Sequence, residues 1–528
     1  MDTIVRPHAP IKILLETRPA LDLHAGIPQQ TRLLFRGLSL LNDAFSVAGL
    51  LQSSTHALGK GLPLDDRALR LHSLPRHRQI DRLGRVIITL EQKFLSSHLS
   101  VLPVALRRMI GRPEELTRFE PHHFRDFIWR RLFARTLPPA DFDLVMRATF
   151  RIARAPWGAL NMCSFISRGL GHMLFPRLNT AEFDVMIAET PYPARVSKST
   201  RMVVHYHDAI PLLMPHTISN RRSHQAFHYH ALRRNVTNGA WFACVSEATR
   251  KDLISIFPHV EARAVTIHNM VSHEYFDEPS CALAVPEIIR ARVNVRLTGP
   301  RRRPTMFADA TQDTPPEYLL SVSTVEPRKN HLTLLSAWER LRASSFPHLK
   351  LILVGSLGWH HLRIVQKFRP WIERGEIAML EDVPSAELRV LYKHSRATIC
   401  PSFAEGFDLP GIEAMRSGGV VIASDIPVHR EIYKDAAEYF NPYSVDHLLS
   451  VTRTLIDPTN SSHRSGLATK GAVVARRYTS DEILPQWKSF ITALVTERPR
   501  STDIQLSRPV ECPIDGCEPP APQVDICS

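Results

Sequence analysis

The feature that most constrains this chain is a recurrence of short apolar runs, each followed by turn or helix-start residues. In the first half the runs are Asp184 to Ala188, Met202 to His205, Trp241 to Val245 and Ala264 to Ile267. In the second half they are Tyr318 to Val325, Lys350 to Gly355, Ile377 to Leu380, Ala397 to Cys400 and Val420 to Ala423. Strands that alternate with helices in this way build parallel α/β sheets. A similar unit opens the chain: Ile11 to Leu15, a turn with Gly26, Ile27 and Pro28, then Leu33, Leu34, Phe35, Leu38 and Leu41 at helical spacing. Between the two sets lies RRRPTMFADATQDTPP, Arg301 to Pro316, which is bounded by proline and has no apolar period. The expected fold is therefore α/β, with two Rossmann-like domains.

Residues 1–305 form the amino-terminal domain in this reading, 306–316 the linker and 317–498 the carboxyl-terminal domain. Residues of about 60–175 are rich in Arg and His and carry helical periodicity, so they read as a mostly helical insertion. The end, 499–528, has several prolines, three cysteines and few large apolar residues, and its composition predicts a disordered tail.

A chain of 528 residues has room for two to four domains at roughly 150 residues each. Its net charge of +14 attracts phosphates of any kind, which keeps nucleic acid, anionic lipid and a nucleotide-sugar in view. No aromatic-rich basic platform is visible, so nucleic acid is not the expected partner. No run approaches the roughly 18 to 20 uncharged residues that span a bilayer, and the first apolar segment is broken by Lys12, Glu16 and Arg18. The expected location is cytoplasmic. The basic segment Val101 to Arg112 suits either solvent or peripheral attachment at the inner face of the membrane. The seven cysteines are scattered, as free thiols in a reducing compartment would be, and Cys512, Cys517 and Cys527 lack zinc-site spacing.

The most informative window is PSFAEGFDLPGIE, Pro401 to Glu413, a loop at the carboxyl end of a strand, where open α/β sheets bind ligands. Pro410 is tolerated in a first helical turn, and the amides around Phe407 to Gly411 remain available to anionic oxygens. Glu405 and Glu413 stand eight residues apart, so both carboxylates can reach one cleft and accept sugar hydroxyl protons. On spacing alone they serve equally well as ordinary acids at a helix start. A second window, SVSTVEPRKNHLTLL, places Arg328 and Lys329 between a strand end and a helix. Two cations there suit a leaving diphosphate, although on charge alone a solvated surface is the commoner role.

The two windows, with Ala414 to Pro427 and Arg430-Glu431, resemble the retaining glycosyltransferases of family 4, which have the GT-B fold of two Rossmann-like domains facing a central cleft. Glu405 and Glu413 match the family's E-x7-E pattern, and Glu326 to Asn330 (EPRKN) its basic loop, in the variant most like mannosyltransferases of bacterial surface polysaccharides. Gly26 to Leu38 resembles the glycine loop and helix, His207-Asp208 the histidine loop, and Val245 to Leu253 a further stretch. The chain departs from the pattern at Pro28, where a second glycine is frequent, and at Thr324, where many members have arginine.

The resemblance implies a nucleotide-sugar donor, with GDP-mannose the first candidate, and a glycan or lipid-linked acceptor. A nucleotide-sugar epimerase of the same fold and a basic nucleic-acid binder are the alternatives. It implies catalytic roles for His207, Lys329 and Glu405. Donor binding falls to Gly26, Arg328, Lys329, Glu405, Gly406, Phe407, Asp408, Leu409 and Glu413. The choice of His207 over His205, on the same strand face, rests on the His-Asp match. No cofactor and no metal are expected. Asp141-Phe142-Asp143 has the D-x-D form used for cations elsewhere, but lies in the insertion.

Overall fold

The expected strands assemble into two parallel-dominated sheets. The computed structural model describes residues 9–21, 26–62, 76–91, 101, 104–107, 110–166, 175–218, 221–294 and 315–496. The expected tail, its three cysteines and the linker up to residue 314 lie outside the described residues.

The first sheet has eight strands: β1 (Ile11–Glu16), β2 (Phe45–Leu51), β3 (Leu116–Phe119), β4 (Thr149–Ala153), β5 (Val185–Ala188), β6 (Arg201–Tyr206), β7 (Trp241–Cys244) and β8 (Ala264–Thr266). Their spatial order is β3-β4-β2-β1-β5-β6-β7-β8, parallel except at β3, which runs antiparallel to β4. The second sheet has six: β9 (Tyr318–Val322), β10 (Lys350–Val354), β11 (Ile377–Leu380), β12 (Ala397–Cys400), β13 (Val421–Ser424) and β14 (Ala437–Phe440). All its pairings are parallel, in the order β11-β10-β9-β12-β13-β14. Each sheet reverses its winding once, between β1 and β5 in the first and between β9 and β12 in the second. The crevice outside the strand ends at such a reversal is where doubly wound sheets take ligands.

Both faces of each sheet are covered, as parallel sheets require. In the second sheet Leu319, Leu351 and Leu353 pack with Trp338 and Phe368 on one side, while Leu320, Ile352 and Val354 pack with Tyr392 and Ile412 on the other. This is the period of two that a strand imposes on its side chains.

The insertion is not wholly helical. It holds the helix Arg76–Glu91, but also β3 and β4, which extend the first sheet beyond β2. β4 pairs with β2 from Ala48–Thr149 to Leu51–Ile152, and its Phe150 and Ile152 are buried. A strand this short, flanked by arginines, carries too few alternations to stand out in the sequence.

The last helix, Ser480–Thr496, crosses back to the amino-terminal domain. Its Ile483, Leu484, Trp487, Ile491 and Leu494 are buried in the same cluster as Phe35 and Leu38 of the helix Ile27–Leu40. The segment expected to close the second domain thus completes the core of the first. No helix among the described residues is long and apolar enough to cross a membrane. Because truncating a buried Trp costs about 3–5 kcal/mol, Trp487→Ala is expected to lower stability by that order in urea unfolding followed by circular dichroism. An unchanged midpoint and slope would show that this helix is not part of the amino-terminal core.

Candidate active site

The loops that follow β9 and β12 meet at the reversal of the second sheet. After β9 the chain makes one 3-10 turn, Pro327–Lys329, and enters the helix His331–Ser344 through Asn330, whose φ of 55° is left-handed. Asn330 holds this position through its side chain, donating from Nδ2 to the Pro401 carbonyl at 3.0 Å and to the Pro442 carbonyl at 2.9 Å. The Phe403 amide donates to the Arg328 carbonyl at 2.9 Å. The EPRKN loop and the loop after β12 are therefore stitched together before any ionised side chain is considered.

Glu405 is the charge at their junction. It accepts from Arg328 Nη1 at 2.7 Å through Oε2, and from Lys329 Nζ through Oε1. Arg328 also donates to the Ala404 carbonyl at 2.6 Å and to Glu326 at 2.8 Å. Burial alone would push the Glu405 carboxyl up, but Arg328 and Lys329 outweigh it and hold the group below the usual carboxylate range. The amides of Glu405, Gly406, Phe407, Asp408 and Leu409 find no acceptor among the described residues. They lead into the helix Leu409–Arg416, where Pro410 sits in the first turn. Five unpartnered amides in the loop that meets two cations make this the candidate anion seat.

The side chains of Phe407 and Leu409 are buried in the core, so only their amides face this role. Asp408 has a left-handed φ of 71° and is also buried. Its carboxylate accepts from Tyr433 Oη at 2.8 Å and pairs with His429 Nε2 at 3.1 Å. These bonds, with Lys329 nearby, overcome the cost of burial and keep Asp408 ionised. It locks the loop to the helix Pro427–Tyr433.

Glu413 lies apart from the cations. Its Oε1 accepts from Gln29 Nε2 at 2.8 Å, across the cleft, and its Oε2 from the Tyr392 hydroxyl at 3.1 Å. Burial raises its carboxyl to about 7, against the lowering effect of the Gln29, Tyr392 and Tyr275 hydrogen bonds. Gln29 stands in the first turn of the helix Ile27–Leu40, which Gly26 opens with a φ of 64°. A side chain other than glycine rarely adopts that conformation.

The amino-terminal domain meets the loop at Gly406. A Cβ built there would lie 1.8 Å from the His207 carbonyl oxygen, so glycine alone permits the contact. The Gly406 carbonyl accepts from Ser246 Oγ at 2.7 Å and from Thr249 Oγ1 at 3.3 Å. Glu431 accepts from the amides of Glu247 and Ala248 at 2.7 and 2.9 Å, capping the helix Glu247–Ile256 from the other domain.

His207 follows β6 and is buried, as is His205. Both rings point a nitrogen at Glu189 Oε2, His205 Nδ1 at 3.1 Å and His207 Nε2 at 3.2 Å. The donor atoms of the three residues lie within 4.8 Å of one another, a spacing that could also accommodate a metal ion. The D-x-D residues do not converge. Asp141 is buried against Arg36 at 2.7 Å, while Asp143 is exposed and pairs with Arg125 at 2.9 Å.

The site residues named from the sequence thus fall into three neighbouring groups: Arg328, Lys329 and Glu405 around the anion seat, Glu413 with Gln29 and Gly26 across the cleft, and His207 against Gly406. Sequence reasoning missed Gln29, Tyr392, His429, Tyr433 and Glu189. Gln29 lies within the stretch Gly26 to Leu38, and the others carry no local pattern.

Residues 302–470 match the family model described as glycosyl transferases group 1. O-antigen chain mannosyltransferase B of Escherichia coli is 28% identical over 257 residues, 48% of this chain and 61% of that protein. Serotype-specific mannosyltransferase WbdA of Escherichia coli is 37% identical over 134 residues, 25% of this chain and 16% of that one. The chain therefore spans less than two thirds of either relative. Among solved structures, Anabaena Alr3699/HepE in complex with UDP and glucose superposes with a TM-score of 0.53 at 14% identity, over 92% of this chain and 100% of that one. Sucrose-phosphate synthase from Thermosynechococcus elongatus gives 0.52 at 14% identity, over 92% and 99%.

The raised Glu413 carboxyl has a measurable consequence. In the unfolded chain it titrates near 4.5, in the fold near 7, so the folded state holds the extra proton between those values. The stabilisation is complete below pH 4.5 and is lost as pH rises through 7, by about 3 kcal/mol at 1.36 kcal/mol per unit. Glu413→Gln is expected to remove that loss, so the variant gains stability over the unaltered protein at pH 8 relative to pH 5. Parallel stability curves would show that Glu413 is ionised throughout. Fold and sequence agree at this point: the chain has the GT-B fold, and residues 302–470 within it carry the glycosyl transferases group 1 match.

Proposed function

We propose that this protein is a retaining glycosyltransferase that moves a sugar, mannose in the first instance, from a nucleotide-sugar to a glycan or lipid-linked acceptor in surface-polysaccharide synthesis. The observation that carries this reading is the buried Arg328–Lys329–Glu405 cluster at the head of five unpartnered amides. The family match covers this whole cluster, and the curated relatives named above are mannosyltransferases, one of them of the O-antigen chain.

In this reading Arg328, Lys329 and the amides from Gly406 to Leu409 take the donor diphosphate and stabilise its charge as it leaves. Glu405, relieved of its cations, accepts hydroxyls of the transferred sugar. Glu413 already accepts from an amide and a phenol, and the ribose hydroxyls are donors of the same kind. Gly26 lets backbone approach the phosphate, and His207 reaches the anomeric carbon from the amino-terminal side. The acceptor hydroxyl attacks from the face the diphosphate leaves. In this reading the protein works in the cytoplasm, with peripheral attachment at the inner face of the membrane.

Screening nucleotide-sugars for thermal stabilisation tests the reading, since a ligand at 100 times its dissociation constant stabilises by about 2.7 kcal/mol. A protein stabilised by no nucleotide-sugar would sink it. Removing one preorganised donor to a developing anion costs roughly two to three orders of magnitude in turnover, so Lys329→Ala should lose that much while keeping its circular dichroism spectrum. Full activity in a folded variant would mean the diphosphate sits elsewhere. Because side chains and amides already supply the positive charge, transfer is expected to survive EDTA. Loss in the chelator with rescue by manganese would contradict this.

A further inference from the structure

The reversal of the first sheet lies opposite the anion seat, and it carries a buried carboxylate that no step above uses. Glu189 is the residue after β5, beside β1 and β6, and is fully buried. Its backbone is pinned from below. The Glu189 amide donates to Glu16 Oε2 at 3.0 Å, Glu16 pairs with Arg18 at 2.7 Å, and Arg18 donates to Thr190 Oγ1 at 2.9 Å. The register that pairs Ala188 with Val204 brings Glu189 alongside His205.

His205 and His207 lie two residues apart, on one side of the strand, with ring centroids 4.4 Å apart. Both direct a nitrogen at the same carboxylate oxygen. Against the cost of burial, the two histidines beside it hold the Glu189 carboxyl below the usual carboxylate range, which favours the ionised form. An ionised carboxylate can only accept, so both nitrogens must carry hydrogen. The nitrogen that His205 turns to the carboxylate is Nδ1, and its Nε2 is buried without a partner near the edge of Trp487. His207 is the Nε2–H form, and its Nδ1 makes no hydrogen bond among the described residues.

We propose that Glu189 is a positioning residue for sugar transfer: it fixes the orientation and tautomer of His207, so that Nδ1 is the basic nitrogen that accepts a sugar hydroxyl proton. The location fits, because the His207 carbonyl rests on Gly406, next to Glu405. A carboxylate behind a working imidazole sets which nitrogen is basic, and the loss of such a partner behind a metal-bound histidine costs about 10- to 100-fold. The proposal rests on the glycosyltransferase reading above, and it also makes a statement about the ring that needs no turnover.

Two measurements decide it. In nitrogen-15 correlation spectra of histidine-labelled protein, with the His207 signals identified by their loss in His207→Ala, Nε2 should be protonated and Nδ1 bare. A His207 ring protonated at Nδ1 alone would overturn the proposal, whether or not any Glu189 variant folds. In a double-mutant cycle, Glu189→Gln, which removes the charge that holds hydrogen on the two facing ring nitrogens, should lower kcat roughly 10- to 100-fold. The donor KM should stay within about twofold, and the same change should add nothing in a His207→Ala background. Losses that multiply would show that Glu189 acts only on the fold. One equivalent of metal retained through dialysis against a chelator would make the three groups ligands and would also overturn it. If the unaltered protein transfers no sugar, the functional reading fails, and the ring tautomer still decides the role of Glu189.

Discussion

Two cations lie side by side at the ends of β9 and β12, largely withdrawn from water, and Glu405 is the group that makes this tolerable. Removing one partner from such a buried set leaves uncompensated charge and costs about 3–5 kcal/mol, so the three residues stand or fall together. The rest of the site follows from holding them. Asn330 supplies the left-handed turn that brings Arg328 and Lys329 to the loop after β12, and Asp408 supplies a second such turn that aims the helix Leu409–Arg416. Neither residue is glycine, and each is held by side-chain hydrogen bonds that offset the strain. An arriving diphosphate brings more negative charge than Glu405 and can take over its cations, which turns a stabilising cluster into a binding site.

The two reversals of winding face each other, and this explains why the contacts between domains gather there. Gly406 meets His207 because the loop after β12 and the loop after β6 both emerge at the cleft, and Gln29 reaches Glu413 from the first helix. Glu431 caps the helix Glu247–Ile256 from the opposite domain, and the last helix returns to the first core. The amino-terminal domain therefore depends on a charge and a helix that belong to the other in sequence.

Much of the architecture was legible because parallel strands buried on both faces read as apolar runs, and nine of the ten such runs fall within two residues of observed strand ends. Arg328, Lys329 and Glu405 were legible because the loops that carry them sit at strand ends with proline and glycine fixing the turns. The partners of these residues were not. Gln29 and Glu413 are 384 residues apart, Glu189 and His207 belong to different strands, and Tyr433 looks like any core tyrosine until Asp408 is placed against it. Long-range pairing of polar groups leaves no period in the sequence. β3 and β4 escaped notice for a related reason, since four- and five-residue strands joined to an existing sheet need little pattern of their own.

The central claim is that the anion seat at the ends of β9 and β12 holds the donor diphosphate. A crystal structure with the nucleoside diphosphate of the most stabilising donor tests it most directly. The account predicts phosphate oxygens against Lys329, Arg328 and the amides of Gly406 to Leu409, with the ribose hydroxyls on Glu413. A nucleotide bound elsewhere, with Glu405 still joined to both cations, would contradict it.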